Sequence, residues 1–380
     1  MKLVPFVTDL GDLIGRVVQD LRSWPVRGSR LVDELECVLS VLLAIGFAHA
    51  LEVRHVGWAA FSGYMVMRSH IWRSFKRGSL RVIGTAAGAA VAWYLAAHVL
   101  DSLWQTSIAL LLVTFVTLYF TMVSPRGYAW LFTGLTFGMV LIDGMQHPDE
   151  AVQVFAWTRF VEVAAGTVAC LIVSAVLTLT VRRYMLNERG VSMAYEWWVD
   201  RLLPWHPAAF VHAWQGAIAM ALIPLAWLWL GLDSLSQSSV TIMVVMAIPL
   251  ASVADNRTRT KLIHRFVGCA MGALFATIVL LVGRQSPTFI LLATAVAVVI
   301  GRHIENGKHG IDYVGTQFVL AFLVVSVPDT YEALHLSVGV ERVAGVLLGI
   351  VLLEPVRMLL PVRRVFTVES DGRRSDDSSE

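Results

Sequence analysis

An arginine inside an apolar run, followed seven residues later by a glycine, is written four times in this chain. The copies are Arg81-Val-Ile-Gly-Thr-Ala-Ala-Gly88, Arg159-Phe-Val-Glu-Val-Ala-Ala-Gly166, Arg265-Phe-Val-Gly-Cys-Ala-Met-Gly272 and Arg342-Val-Ala-Gly-Val-Leu-Leu-Gly349. Arg81 and Arg265 are 184 residues apart, and Arg159 and Arg342 are 183 apart. So constant an offset means that one unit has been written twice. Whatever fold the chain adopts must be built from two related halves.

The unit itself is a membrane unit. Hydrophobic residues make up 57% of the chain and charged residues only 15%, and the apolar runs approach the roughly 20 residues that a bilayer core requires. Six apolar segments can be drawn in each half. In the first they are Leu35–Leu51, Val56–Met67, Val82–Leu100, Ile108–Val123, Tyr128–Ile142 and Val154–Leu179. In the second they are Ala213–Leu230, Val240–Val253, Phe266–Val282, Phe289–Ile300, Tyr313–Val327 and Val338–Val351. The expected fold is an all-α polytopic membrane protein of about twelve transmembrane helices, arranged as two parallel six-helix repeats.

Its parts are an amphipathic cytoplasmic-side segment (1–34), a first repeat (35–180), a short cytoplasmic linker with an amphipathic helix (181–211), a second repeat (212–356) and a basic, then disordered tail (357–380). Leu3, Val7, Leu10, Ile14, Val17, Val18 and Leu21 share one helical face, expected at the membrane surface. Asp9, Asp12 and Asp20 interrupt this stretch, which therefore does not read as a signal peptide. Met193–Leu203 reads as a second amphipathic stretch.

The basic residues support the span count. With both ends cytoplasmic, 26 of the 30 lysines and arginines fall on the cytoplasmic side, as the positive-inside rule requires. Arg54 and Arg284 lie in outer loops. Arg159 and Arg342 lie inside the sixth segment of each half, toward the side that should be poor in positive charge.

An arginine within a span is costly and marks a pathway or a buried pair. Arg159 and Arg342 are therefore the first candidates for a substrate path. Local pairing is the plainer account: Glu162 stands three residues after Arg159, where the two can meet on one helix face, and Glu341 adjoins Arg342. Thr136 in the first half, and Thr316 and Gln317 in the second, place polar groups in the fifth segments, where they would hydrogen-bond either a ligand or a neighbouring helix. Arg81 and Arg265 open the third segments among other basic residues; they read as snorkelling anchors at a cytoplasmic mouth. The paired glycines read as close helix contacts. The second segments are short, with Gly57, Gly63 and Pro249 in them, and short matched segments in two halves point to a binding site. His49 could relay protons, although a structural hydrogen bond is the simpler role. Cys37, Cys170 and Cys269 all lie in apolar segments and read as packing residues. No His-Glu-x-x-His, Walker A or Gly-x-Ser-x-Gly pattern occurs, so neither an enzyme nor an ATP-driven pump is expected. No cofactor, metal site or nucleic-acid partner is expected either.

The order and repetition of these features resemble the fusaric acid resistance family, also described as integral membrane bound transporters or aromatic acid exporters. The residues that carry the resemblance are the arginine–glycine ends of the third and sixth segments. With them go the fifth-segment stretches Tyr128-Ala-Trp-Leu-Phe-Thr-Gly-Leu-Thr136 and Tyr313-Val-Gly-Thr-Gln-Phe-Val-Leu-Ala-Phe322. It covers nearly all of residues 35–355. The resemblance implies an inner-membrane exporter of aromatic carboxylic acids or related organic anions, working with a periplasmic adaptor protein. Larger family members carry long cytoplasmic domains after each six-span block; here the linker and tail are short.

The expectation is a secondary transporter moving small organic anions outward along a path between the two repeats. Arg159 and Arg342 would attract the carboxylate. Thr136, Thr316 and Gln317 would hydrogen-bond it. Glu162 and Glu341 would tune the arginines or carry a proton. A passive anion channel with the same pore, and a non-transporting scaffold subunit, are the alternatives. The bilayer is the expected surrounding, and homo-oligomerisation is left open.

Overall fold

The computed structural model describes residues 4–22, 28–68, 70–182, 205–231, 235–250, 253, 257–283, 286–327 and 337–362. Of these, 87% are helical and none is in a strand. The second amphipathic stretch, Met193–Leu203, and the end of the tail lie outside the described residues.

The helices are α1 (Val4–Arg22), α2 (Ser29–Ala50), α3 (Val56–Val66), α4 (Ile71–Val99), α5 (Leu103–Val123), α6 (Gly127–Gln146), α7 (Val152–Leu177), α8 (Pro207–Ala221), α9 (Ile223–Leu230), α10 (Leu235–Met246), α11 (Arg257–Gly283), α12 (Pro287–Glu305), α13 (Asp312–Ser326) and α14 (Ser337–Leu359). A π-helical turn, Thr178–Arg182, extends α7. Each of the twelve apolar segments overlaps a helix; Val240–Val253 runs past the end of α10 at Met246, and α8 and α9 together form the first segment of the second half. Pro224 at the start of α9 explains the break between them, because proline cannot donate to the preceding turn.

Among the described residues, seven helices are long and apolar enough to cross a membrane: α4, α5, α6, α7 with its π turn, α8–α9, α11 and α12. Two more, α2 and α14, have the length, at 22 and 23 residues. They carry too many charges to qualify by composition: Asp33, Glu34 and Glu36 on α2, and Glu341, Arg342, Glu354 and Arg357 on α14. The second segments are shorter than a span. With 11 and 12 residues, α3 and α10 reach about 16–18 Å at 1.5 Å per residue, well under the roughly 30 Å hydrocarbon thickness.

The chain divides into two compact units. Unit 1 is Met1–Val82, Thr158–Glu196 and Ile263–Val343; unit 2 is Ile83–Trp157, Trp197–Leu262 and Ala344–Glu380. The units cut across the sequence halves. Unit 1 joins α1–α3 of the first half to α12 and α13 of the second. Unit 2 joins α5 and α6 of the first half to α8–α10 of the second. Four long helices, α4, α7, α11 and α14, give part of their length to each.

In unit 1 the core forms between α2, α3, α12 and α13, filled by Val41, Ile45, Phe61, Tyr64, Phe318 and Phe322 among others. In this unit α1 is an amphipathic helix, though its covered face is not the one drawn from the sequence, which held Ile14 and Val18 and left out Leu13. Its Leu13 and Val17 are covered by protein, against Val267 of α11, Ile304 of α12 and Val314 of α13, while Ile14 and Val18 are exposed. In unit 2, α5 packs on α6 and α8, and α10 on α6 and α8. An aromatic cluster of Phe115, Tyr119, Trp205, Phe210 and Trp214 lies between α5 and the start of α8.

The motif glycines are contact points, as small residues in membrane bundles usually are. A methyl group added at Gly166 would overlap the Ala59 carbonyl of α3, and one at Gly272 the Phe318 carbonyl of α13; both contacts lie in unit 1. In unit 2 the same holds for Gly84 and Gly88 against the Ala129 and Thr133 carbonyls of α6. Third-segment helices thus lie on fifth-segment helices, and Gly166 brings a sixth-segment helix onto a second-segment one.

Candidate functional site

All four motif arginines belong to unit 1, and all four are buried. So is every other buried Asp, Glu, Lys and Arg among the described residues; the buried polar groups of unit 2 are uncharged. The charge of the interior is therefore concentrated in one unit, and its organising elements are the short helices α3 and α13.

Three motif arginines are held by α3. The Arg159 guanidinium carbon lies 5.2 Å from the centre of the Trp58 ring, and that of Arg342 lies 5.9 Å from the same ring. Both are within the distance over which an indole face attracts a cation. The Arg81 guanidinium lies 5.8 Å from the Phe61 ring and donates from Nη2 to Ser62 Oγ at 3.1 Å. The fourth, Arg265, is held by α13: its Nη1 donates to Gln317 Oε1 at 2.6 Å, and the Cys269 thiol lies 3.7 Å from the same oxygen. Arg81 and Arg265 are therefore not snorkelling anchors. Their guanidinium groups bond side chains inside the packing instead of reaching out to water.

The two span arginines differ in their partners. Arg159 Nη2 lies 2.8 Å from Glu162 Oε2 and donates to Oε1 at 3.1 Å. That carboxylate is fully buried and also accepts the His55 backbone N–H at 3.1 Å, with the His55 ring Nδ1 at the same distance. His55 is the residue just before α3, so Glu162 satisfies an amide at the positive end of that helix. The expected local pair is thus present, and it also fixes where α3 begins.

Arg342 has no such pair. It is 2% exposed, yet among the described residues its three guanidinium nitrogens meet no oxygen or nitrogen acceptor; the Cys269 thiol lies within hydrogen-bonding reach of them. Glu341, its neighbour in sequence, is exposed. The groups within electrostatic reach of Arg342 are the Cys269 thiol and the Arg265 guanidinium, neither of which offsets its charge. A buried cation with empty donors is expensive, and an anion seated there would remove the expense.

The remaining expected residues fall as follows. Gln317 is in the cluster, on Arg265. Thr316 is buried beside it but donates to the Asp312 carbonyl of its own helix at 3.3 Å. Thr136 is buried in α6, in unit 2. Beyond the expected residues, His212 of unit 2 hydrogen-bonds the Met246 carbonyl at 3.0 Å, which satisfies the end of α10. Lys261 does the same there, reaching the Val244 and Ala247 carbonyls at 2.7 and 2.6 Å.

Two groups that matter escaped the sequence reading. Trp58 carried no signal of its own, because one aromatic residue in a short apolar segment is ordinary. The other is a buried acid–base network at the far end of α3. Arg302 of α12 forms a two-pronged pair with Asp33 of α2 at 2.8 and 3.1 Å. Arg182, in the π-helical turn, grips Glu36 of α2 in the same way at 2.9 and 2.7 Å. Tyr64 in the last turn of α3 donates to Glu305 at 2.7 Å, and Arg302 and Arg68 lie 3.1 and 3.7 Å from that carboxylate. The available signal was the run Asp33-Glu34-Leu35-Glu36: three carboxylates opening an apolar segment need buried partners.

A chain with seven helices among its described residues fit to span a bilayer, and with apolar side chains such as Trp93, Trp104 and Leu281 exposed along them, is a multi-pass membrane protein. The chain matches the fusaric acid resistance protein-like family over residues 43–173 and 220–353, well over half its length, and belongs to that family. Membership points to a membrane transporter or exporter. No curated protein and no solved structure matches it.

Proposed function

We propose that the protein is a secondary transporter that exports small organic anions, aromatic carboxylic acids foremost, with Arg342 as the carboxylate receptor and Trp58 as the platform for the ring. The observation that carries this reading is the buried Arg342 guanidinium, which among the described residues meets no carboxylate and no oxygen or nitrogen acceptor. A carboxylate is the group whose two oxygens fit the guanidinium fork, and an indole beside the fork suits an aromatic body. Arg159 sits over the same indole, but its charge is offset by Glu162, so it orients the ring and adds field. Gln317 and Arg265 supply further donors nearby. Arg159 and Trp58 come from the first half and Arg342 from the second, which fits a path where two parallel repeats meet. The distribution of lysines and arginines supports an inner-membrane protein with both termini cytoplasmic, and the match of one family to two stretches of the chain supports the twelve-segment repeat.

The test is flux of labelled 4-hydroxybenzoate into inverted vesicles, with and without a proton gradient. Accumulation that requires the gradient, and falls at least tenfold in Arg342→Gln at equal protein abundance, is the expected result. Equilibration without accumulation would instead identify a passive channel. Unchanged flux in Arg342→Gln would remove the receptor role.

A further inference from the structure

The acid–base network at the far end of α3 holds one pair that differs from the rest. Arginine does not release its proton under ordinary conditions, so Arg302–Asp33 and Arg182–Glu36 are fixed ion pairs. His303 of α12 is not fixed in that sense. It is fully buried. Its Nε2 lies 3.1 Å from the Asp20 carbonyl of α1, and its Nδ1 lies 3.1 Å from Glu34 Oε1 of α2. A carbonyl can only accept, so Nε2 carries a hydrogen. What lies between Nδ1 and Oε1 must then be a proton as well: it sits either on the imidazole, facing a carboxylate, or on the carboxyl, facing a neutral ring. Without it, two lone pairs would face each other around a buried negative charge, with Glu34 Oε2 lacking a hydrogen-bond partner.

The surroundings leave this pair to act as a unit. Glu34 faces Arg30 at 3.6 Å, and Arg30 itself donates to the His303 carbonyl at 2.7 Å. Asp20, whose carbonyl fixes the tautomer, bonds the His309 ring through its side chain. Asn306 Nδ2 donates to Asp33 at 2.8 Å, and Arg302 holds Asp33 and lies beside Glu305. Each strong cation except Arg30 is thus taken by another carboxylate. The pair joins α1, α2 and α12, so gain or loss of its proton bears on how those three helices are held together.

We propose that His303 and Glu34 form a proton-binding dyad that carries the coupling proton of the transport cycle. The coupling part rests on the transporter reading above; the proton-binding part does not. The step is a proton transfer alone: water delivers a proton to the Nδ1–Oε1 pair, and the same proton returns to water when the helices separate. No other bond changes.

Two measurements test it. In proteoliposomes, Glu34→Gln keeps a donor facing Nδ1 and so preserves the packing, but cannot bind the proton. It should retain 4-hydroxybenzoate exchange at equal pH to within about twofold and lose gradient-driven accumulation at least tenfold. Wild-type accumulation in this variant would overturn the coupling role. Separately, 15N-histidine spectra of the purified protein, with His303 assigned through His303→Gln, need no transport. The His303 ring nitrogens should respond to pH in the wild type and stay constant in Glu34→Gln. A His303 signal that does not move in the wild type would overturn the dyad itself. If the spectra titrate while no anion is transported, the dyad stands and the transporter reading falls.

Discussion

Arg159 and Arg342, 183 residues apart in sequence, both lie over the ring of Trp58, at 5.2 and 5.9 Å, and among the described residues Arg159 has a carboxylate partner where Arg342 has none. Two copies of one motif have come to share an aromatic face while differing in charge balance. The duplicated unit has thus given two differently balanced arginines: one is neutralised, and the other is left cationic.

The first prediction follows from that imbalance. Replacing a paired buried charge leaves its partner stranded, whereas replacing an unpaired one removes a cost. Arg342→Met should therefore keep or raise the thermal midpoint of the ligand-free protein, with a gain of about 1–3 kcal/mol if the desolvation cost is typical. Arg302→Met, which strands Asp33, should lose about 3–5 kcal/mol. Thermal unfolding of both variants in detergent checks this, with and without benzoate. A marked drop for Arg342→Met without ligand would mean that the guanidinium is structurally paired.

Selectivity gives the second. If Trp58 carries the aromatic body of the ligand, Trp58→Leu should weaken aromatic carboxylates by about 1 kcal/mol, roughly fivefold, beyond any loss for aliphatic ones. Competition of benzoate and of butyrate against labelled substrate gives the two constants. Equal losses for both acids would leave the indole only its role of facing the arginines.

Much of this arrangement was legible in the sequence. Helices overlap the apolar segments because apolar runs and prolines mark many of their limits, although seven helices among the described residues qualify as spans, and the motif arginines were found through their repetition. The Arg159–Glu162 pair was legible because three residues is a helical spacing. The burial of Arg81 and Arg265 was not. A basic residue at the start of a span reads as an anchor, and nothing local shows that Ser62 and Gln317 come from other helices to receive it. The pairing of α2 and α3 with α12 and α13 was hidden for the same reason. It joins residues some 270 positions apart, such as Arg302 and Asp33, and periodicity within one segment carries no information about partners so distant. The His303–Glu34 pair was missed because charged residues near span ends were read for topology, a use that ignores what each one touches.

Glu162 supplies a third prediction. It offsets Arg159 and satisfies the His55 amide at the start of α3. In Glu162→Gln the arginine loses this carboxylate, and stability should fall by about 3–5 kcal/mol. An added anion can then replace the lost carboxylate. Benzoate should raise the thermal midpoint more in Glu162→Gln than in the wild type. If benzoate helps both equally, the space beside Arg159 does not admit a ligand carboxylate.

The last prediction concerns the glycine that lets these groups meet. A methyl at Gly166 would overlap the Ala59 backbone carbonyl and crowd Ser62 and Gly63 of α3. Backbone on both sides cannot move as a flexible side chain would, so α7 and α3 would have to separate. Over-packing of this kind costs about 1–3 kcal/mol, and the separation would also draw Arg159 away from Trp58. Gly46, in the interior of α2, is the control, since a methyl there meets nothing within 4 Å. Alanine at that position should be neutral or stabilising by up to about 1 kcal/mol, because glycine is a poor helix former. Gly166→Ala should thus lower both the thermal midpoint and the affinity for aromatic anions, while Gly46→Ala should change neither for the worse. A loss of stability in Gly166→Ala with affinity intact would show that the close approach of α7 and α3 serves the fold without setting the geometry of the arginines.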